Sequence, residues 1–344
     1  MAYIATFFFF LKRYFFFLNT HSILRSSFAG KTMYTTYHLC ISEEREVLFR
    51  NKEDFIRGIN CLSLAAHDTK SRLLAYAFMS NHVHICIRTD NIKKFTKAFW
   101  YPYTRYFNAK YNRKGHLGPS EFYSQKIDGL YHLLTAIAYI LRNPMHHGIT
   151  STPFGYQYSS IKSIFKDDFG WNSKEELINP KYVYKHVSWL KRLPESFKMN
   201  KDGMILAESV IDVNDLEHQF STARTFLYYM NRLSGEKWEA EQMQDGIDQK
   251  PITLEAIEKV CSHQDIKTML ANEHGRSNYK AISDLELCAE IDSIIKNELK
   301  MASIYVITKS EKEFIKKRLF KKIFVPARQL NRCLVIKDNN VGWI

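Results

Sequence analysis

The chain has 344 residues, 45% hydrophobic and 14% aromatic, with a formal net charge of +13. That apolar content is ample for buried cores and excludes a disordered chain, and the length predicts two or three domains. The basic excess points to a polyanionic partner such as nucleic acid, with a merely basic solvated surface as the plainer reading. The six cysteines (Cys40, Cys61, Cys86, Cys261, Cys288, Cys333) are scattered and form no Cys-x-x-Cys pair. They argue against a zinc knuckle or a disulfide framework and fit a reducing, cytoplasmic setting.

Residues 1–32 differ from the rest. Phenylalanine runs at 7–10 and 15–17 flank Lys12-Arg13, and the stretch holds four basic residues and no acid. A charged pair at mid-span argues against a membrane helix, and a signal peptide carries its charges ahead of the apolar core. Met33 therefore reads as the natural start, with 1–32 a non-native upstream extension, and no membrane association is expected.

From residue 34 the elements alternate. A strand is expected over 34–41. An amphipathic helix follows over 52–67, with Phe55, Ile59, Leu62 and Ala66 at helical spacing. A second strand covers 73–79, and Ser80-Asn81 forms a tight link into a third strand starting at His82. A helix over 91–111 carries the stripe Phe95, Phe99, Tyr103, Phe107 and Tyr111, which reads as core, with Pro102 expected to kink or interrupt it. A turn over 115–119, a short strand over 121–127 and a helix over 130–143 complete a β-α-β-β-α-β-α order. That order suggests an α+β domain, a ferredoxin-like sheet with helices on one face, over residues 33–165. A mainly helical region is expected over 166–300, including helices at 213–233 and 254–261. Residues 301–344 form a basic tail. Its segment 308–337 holds ten Lys and Arg residues against Glu311 and Glu313. Ser310 and Glu313 read as a capping box, Phe314, Ile315, Leu319 and Phe320 as an apolar face, and the break at Val325-Pro326 is compatible with a helix-turn-helix. A plain solvated helical pair fits equally.

Two spacings carry chemistry. In the third strand His82, His84, Cys86 and Arg88 share one face, while Val83, Ile85 and Ile87 bury the other. Two imidazoles at i and i+2 can share a divalent cation if a third ligand arrives from elsewhere, although two ordinary surface histidines have the same pattern. Tyr139 and Asn143 stand four apart and so lie on one helix face. Pro144 disfavours helical geometry at Asn143 and is expected to place it at the helix end.

Taken in order, five motifs resemble the HUH-type single-tyrosine transposases, and within them the REP-associated tyrosine transposases. They are Thr36-Tyr37-His38, Met79-Ser80-Asn81-His82-Val83-His84, Tyr106-Phe107-Asn108, Lys114-Gly115-His116-Leu117, and Tyr139-Ile140-x-x-Asn143-Pro144. The resemblance covers roughly residues 34–161. It implies a ferredoxin-like HUH catalytic domain that cuts and rejoins single-stranded DNA, usually beside a small hairpin. It further implies His82, His84 and Asn143 as ligands of Mg²⁺ or Mn²⁺, and Tyr139 as the nucleophile that forms a 5′-phosphotyrosine and releases a 3′-hydroxyl. Two departures bear on DNA docking. Gly118-Pro119 stands where the family commonly has a Trp-Gln or similar pair, and His146-His147 occupy the place of Arg-Ala in the family's Asn-Pro-x-Arg-Ala-Gly run.

Candidate DNA contacts are Lys93, Lys94, Lys97, Arg105, Lys110, Arg113 and Lys114 around the long helix, and Lys316, Lys317, Arg328 and Arg332 in the tail. The sequence leaves monomer and homodimer both open. It also leaves two rivals to the transposase: a non-catalytic DNA-binding descendant, and a metal-dependent phosphodiesterase in which Tyr139 is structural.

Overall fold

The computed structural model describes residues 34–147, 149–150, 152–171, 176–187, 193–231, 282–322 and 325–336. The expectations for residues 1–32, for a helix over 254–261 and for Lys337 lie outside the described residues.

Strands β1 (Thr35–Ser42), β2 (Arg72–Phe78), β3 (His82–Thr89) and β4 (Tyr123–Lys126) form one antiparallel sheet in the order β2-β3-β1-β4. Helix α1 (Lys52–Asp68) joins β1 to β2, and α2 (Ile92–Tyr111) joins β3 to β4, so the chain is mixed α+β. Both helices start at an asparagine whose side chain accepts a backbone N–H of the first turn: Asn51 from Asp54, Asn91 from Lys94. Helix α2 runs through Pro102 without a break. The ring lies on the exposed side, where water can hydrate the carbonyl left without a donor.

Directly opposed residues of an antiparallel pair share a face. One face of the sheet carries Leu39, Ile41, Tyr76, Phe78, Val83 and Ile85. Helices α1 and α2 cover it, with Phe78 edge-on to Phe49 and Phe99. Gly58 lets α1 come close, since a Cβ there would stand 2.7 Å from Phe49 and 2.9 Å from Phe78. The stripe Phe95, Phe99, Tyr103, Phe107 and Tyr111 is buried in this layer, as expected for core.

The other face carries His38, Cys40, Ala75, Ala77, His82, His84 and Cys86. It is also buried, which corrects the expectation of helices on one face only. Helix α3 (Leu130–His146) lies across it, touching β2 and β3, and α4 (Val213–Phe220) and α5 (Ala223–Asn231) pack on α3 in turn. Ala75 and Ala77 are small enough to let α3 approach the sheet. Arg88, on the same face, pairs with Asp215 of α4 at 3.0 Å. The single helix expected over 213–233 is two helices. Ser221 turns with φ +64°, and the Thr222 hydroxyl accepts the Thr225 N–H to start α5. Apolar packing around α3 continues to Met230, past the expected boundary at 165. The described residues between 166 and 212 hold short 3₁₀ turns and isolated bridges in place of long helices. They are tied to α1 through Asn60, which donates to the Gly203 carbonyl and accepts the Ile205 N–H.

Helices α6 (Asp284–Asn297), α7 (Lys309–Lys322) and α8 (Ala327–Cys333) share a second core of Leu287, Ile291, Ile295, Ile315, Leu319 and Leu330, which Val47 joins from the β1–α1 loop. The capping box of α7 is formed by Thr308 and Glu311, two residues before the pair read from the sequence. Phe314 is 50% exposed and leaves the apolar face to Ile315 and Leu319. Two buried arginines hold this bundle in place. Arg50 reaches Asp292 at 3.1 Å and the Cys333 carbonyl at 2.9 Å. Arg332 meets Asp284 at 3.1 Å with both side chains sealed from water, so it is a structural cation and not the DNA contact expected of it. Breaking such a pair strands a buried charge, at a cost of about 3–5 kcal/mol. Arg332→Met is therefore expected to destabilise the protein by about that amount in urea unfolding, with no change in the salt dependence of DNA binding. Normal stability would show that the pair is dispensable.

Candidate functional site

The site is built where α3 lies on β3, with His38 reaching in from β1. The turn Ser80-Asn81 that presents His82 is clamped from several sides. The Ser80 carbonyl accepts the Leu48 and Phe49 N–H groups, and the Asn81 carbonyl accepts that of Glu43. The Ser80 hydroxyl donates to Asp284 at 2.7 Å, so the bundle of α6–α8 bears on the same turn. His82 and His84 are each 1% exposed.

Tyr139 and Asn143 project from α3 onto this face. Helix α3 continues through Pro144 to His146, so Asn143 lies within the last turn and not at its end. Proline removes one donor there, and the His147 N–H still reaches the Asn143 carbonyl at 3.0 Å. Asn143 Oδ1 lies 2.9 Å from His82 Nε2. The Tyr139 ring stands edge-on to His84, centroids 5.2 Å apart, and edge-on to His38 at 5.8 Å. The four residues singled out by spacing are thus brought together by the fold.

His38 is the site residue that spacing alone missed. It is fully buried, its Nε2 lies 3.0 Å from His84 Nδ1, and the two rings stack at 5.2 Å. Alternation along β1 placed it on a face with Cys40. Only the pairing of β1 with β3, His38 opposite Cys86, puts that face beside the His-x-His pair. His147 adds an edge-on contact to the His82 ring at 5.1 Å.

Among the described residues no three His, Cys, Asp or Glu side chains are placed to hold a metal ion by themselves, so a cation here would also need an amide oxygen. The donor chemistry fits one. His82 Nδ1 faces Asn81 Oδ1 at 3.0 Å while Nε2 faces Asn143 Oδ1. A neutral imidazole has one N–H, so if Nδ1 donates to Asn81, the Nε2 lone pair confronts an oxygen lone pair. A cation between them resolves the conflict, as would a second proton on the ring or a half-turn of the Asn143 carboxamide that aims Nδ2 at Nε2. Cis ligands of an octahedral ion with bonds of about 2.1 Å lie about 3 Å apart, close to the observed separation. His84 can ligate through Nε2 when its Nδ1–H donates to His38, the usual way in which a neighbour fixes a ligand's tautomer. His82, His84 and Asn143 are all neutral donors, so a divalent ion held by them would keep its charge for an anionic group.

Orphaned polar atoms collect here. His38 Nδ1, His132 Nε2, Thr135 Oγ1, Asn143 Nδ2 and two nitrogens of Arg142 are buried without a hydrogen-bond partner. Buried polar groups are ordinarily satisfied, so a bound ligand is one way to complete the bonding of these atoms.

The cationic candidates divide. Lys93, Lys94, Lys97 and Arg105 are exposed on the outer side of α2, and Lys114 just beyond it. Because α2 packs on the face opposite the histidines, the sheet lies between α2 and Tyr139. Lys110 and Arg113 have structural partners: Lys110 meets the fully buried Asp54 at 2.7 Å, and Arg113 meets Glu46 at 2.6 Å. In the bundle Lys317 and Arg328 are exposed, with Arg328 3.7 Å from Glu44, and Lys316 is half-buried.

Burial, with a smaller repulsion from His132, lowers the pKa of His38 from 6.5 to about 3. Between those values the unfolded chain binds a proton that the folded chain refuses. Stability is therefore complete above pH 6.5 and falls as pH drops through the window. At pH 5 the loss attributable to His38 should be about 2 kcal/mol. Urea unfolding at pH 7.5 and 5 checks it against His38→Gln, which should show a correspondingly shallower loss. Identical pH dependence in the two proteins would rule it out.

No family model matches the chain, and no curated protein matches it. Among solved structures, that of a REP-associated tyrosine transposase bound to a REP hairpin matches over 42% of this chain and 86% of that one, at 14% sequence identity and a TM-score of 0.34. The relation is distant, and the functional reading rests on the geometry of the site. Among the described residues no helix is long and apolar enough to cross a membrane.

Proposed function

We propose that the protein is a metal-dependent single-stranded DNA transesterase of the HUH single-tyrosine type, with Tyr139 as nucleophile. The observation that carries the reading is the meeting of two separate motifs on one buried face. Asn143 Oδ1 is 2.9 Å from His82 Nε2, with the Tyr139 ring set against His84. The sheet order, with helices joining β1 to β2 and β3 to β4, supports a ferredoxin-like catalytic domain.

In this reading His82, His84 and Asn143 would hold Mg²⁺ or Mn²⁺. Such an ion, when bound, polarises a phosphodiester oxygen and offsets charge on phosphorus. Tyr139 attacks phosphorus, its phenolic oxygen forms a new O–P bond, and the bond from phosphorus to the 3′ oxygen breaks. The strand leaves with a 3′-hydroxyl while its 5′ end stays on Tyr139. The phosphotyrosine keeps the energy of the broken diester, so attack by a second 3′-hydroxyl rejoins DNA without a nucleotide cofactor. His38 orients His84 and takes no proton at neutral pH. The partner is single-stranded or hairpin DNA, met by a chain of net charge +13.

Denaturing and native gels, run with short single-stranded hairpin oligonucleotides and Mg²⁺ or Mn²⁺, test the proposal. A covalent adduct is expected. Cleavage without adduct would indicate water as nucleophile, and a mobility shift without cleavage a DNA-binding protein only. Tyr139→Phe should abolish the adduct and leave DNA affinity within about threefold, since one hydroxyl contributes little to electrostatic binding. Persistent adduct would move the nucleophile to another tyrosine.

His82→Ala or His84→Ala should each remove cleavage at ordinary metal concentrations, because two remaining protein ligands compete poorly with water. Titration of Mn²⁺ followed by its paramagnetic resonance gives a readout independent of turnover. Undiminished cleavage in EDTA would remove the metal from the proposal.

A further inference from the structure

Among the described residues four covered arginines have a carboxylate counter-charge, and a fifth, Arg57, instead donates to the His186 carbonyl at 3.1 Å and lies over the Tyr106 ring. Arg50 has Asp292, Arg88 has Asp215, Arg113 has Glu46 and Arg332 has Asp284, all within 3.1 Å. Arg142 has none. Its Nε and Nη1 are buried without a hydrogen-bond partner, and no carboxylate acts on it. Burial alone pulls its guanidinium below the ordinary arginine range. Leaving a cation covered and unpaired costs free energy that the same chain avoids at the other four positions.

The location gives this cost a use. From His132 to Leu141 α3 is buried on every side, and its last turns open where Arg142 is half-buried and His146 exposed. Arg142 follows Tyr139 by three residues, so the two side chains are neighbours along the helix surface. On the other side of Tyr139, one turn back, Thr135 Oγ1 is also buried without a partner. Tyr139 itself is only 7% exposed, and α3 becomes accessible again from Arg142, three residues on. An always-protonated planar cation with unused donors, three residues from Tyr139 on one helix, suits an anion with several acceptor oxygens.

Resting on the reading of Tyr139 as nucleophile, we infer that Arg142 binds a phosphodiester group of the DNA strand at the Tyr139 site. The missing counter-charge is then supplied by the substrate, and the cation is left unpaired until DNA arrives.

The test uses the full chain carrying Tyr139→Phe, so that binding is read without covalent capture, and a 20-nucleotide oligothymidylate as probe. Affinity is measured at several salt concentrations with Arg142 intact and with Arg142→Met. The variant should bind about tenfold more weakly at low salt, as for loss of a charge-assisted contact. Its slope of log affinity against log salt should be shallower by about 0.7, the loss of one phosphate contact on a single strand. Its melting temperature without DNA should be unchanged or higher, because the uncompensated charge is gone. A purely structural arginine would give the reverse, a lower melting temperature with the slope unaltered. If Arg142→Met does not fold, Arg142→Gln is read by the same slope, and an unchanged slope overturns the inference. Adduct formation is scored separately in protein retaining Tyr139. No adduct, with the slope difference present, removes the transesterase reading and leaves the anion site. Adduct with equal slopes does the opposite.

Discussion

A buried contact of 2.9 Å between an imidazole and a carboxamide, His82 to Asn143, fixes how α3 sits on the sheet. Much else follows from it. The helix must come close enough for a short side chain to reach β3, and Ala75 and Ala77 on the neighbouring strand leave that space. Once α3 covers the histidine face, Tyr139 is carried onto His38 and His84. The outer side of α3 must then be covered too, which explains why α4 and α5 belong to the same core as the sheet. The arrangement leaves several polar atoms of α3 and of the histidine face without a hydrogen-bond partner.

The turn before His82 is the second point of constraint. Backbone hydrogen bonds from residues 43–49 hold one side of it, and Asp284 of α6 holds the other through Ser80. Asp284 in turn neutralises Arg332 of α8. The C-terminal bundle is therefore joined to the turn that presents His82 by buried charge as well as by apolar packing. A fully buried pair in this setting is a positional device: its net stabilisation is small, but losing either partner is expensive.

The distribution of cations follows the same logic of burial. Lys110, Arg113 and Arg332 are used to neutralise Asp54, Glu46 and Asp284 inside the fold. The exposed lysines of α2 remain available to a polyanion, but on the side of the sheet away from Tyr139. A strand touching both would have to pass around the sheet edge. Arg142, by contrast, follows Tyr139 by three residues on α3 and has no carboxylate beside it.

Period-two alternation determined that His82 and His84 share a face, and helical spacing determined that Tyr139 and Asn143 share one. Both patterns are local, so the chain's own sequence carried them, along with the α2 stripe and the order of the first seven elements. The sequence did not determine that the two faces meet. Strand pairing brought His38 in, because a residue 46 positions away becomes a neighbour only through register. The path of α3 through Pro144 was likewise decided by tertiary contact, since a single lost donor in a last turn is a small penalty against the burial of the whole helix. The fate of each cation was also beyond the sequence: a lysine or arginine reads the same whether it faces DNA or a buried carboxylate, and only the folded surroundings distinguish Arg332 from Arg142.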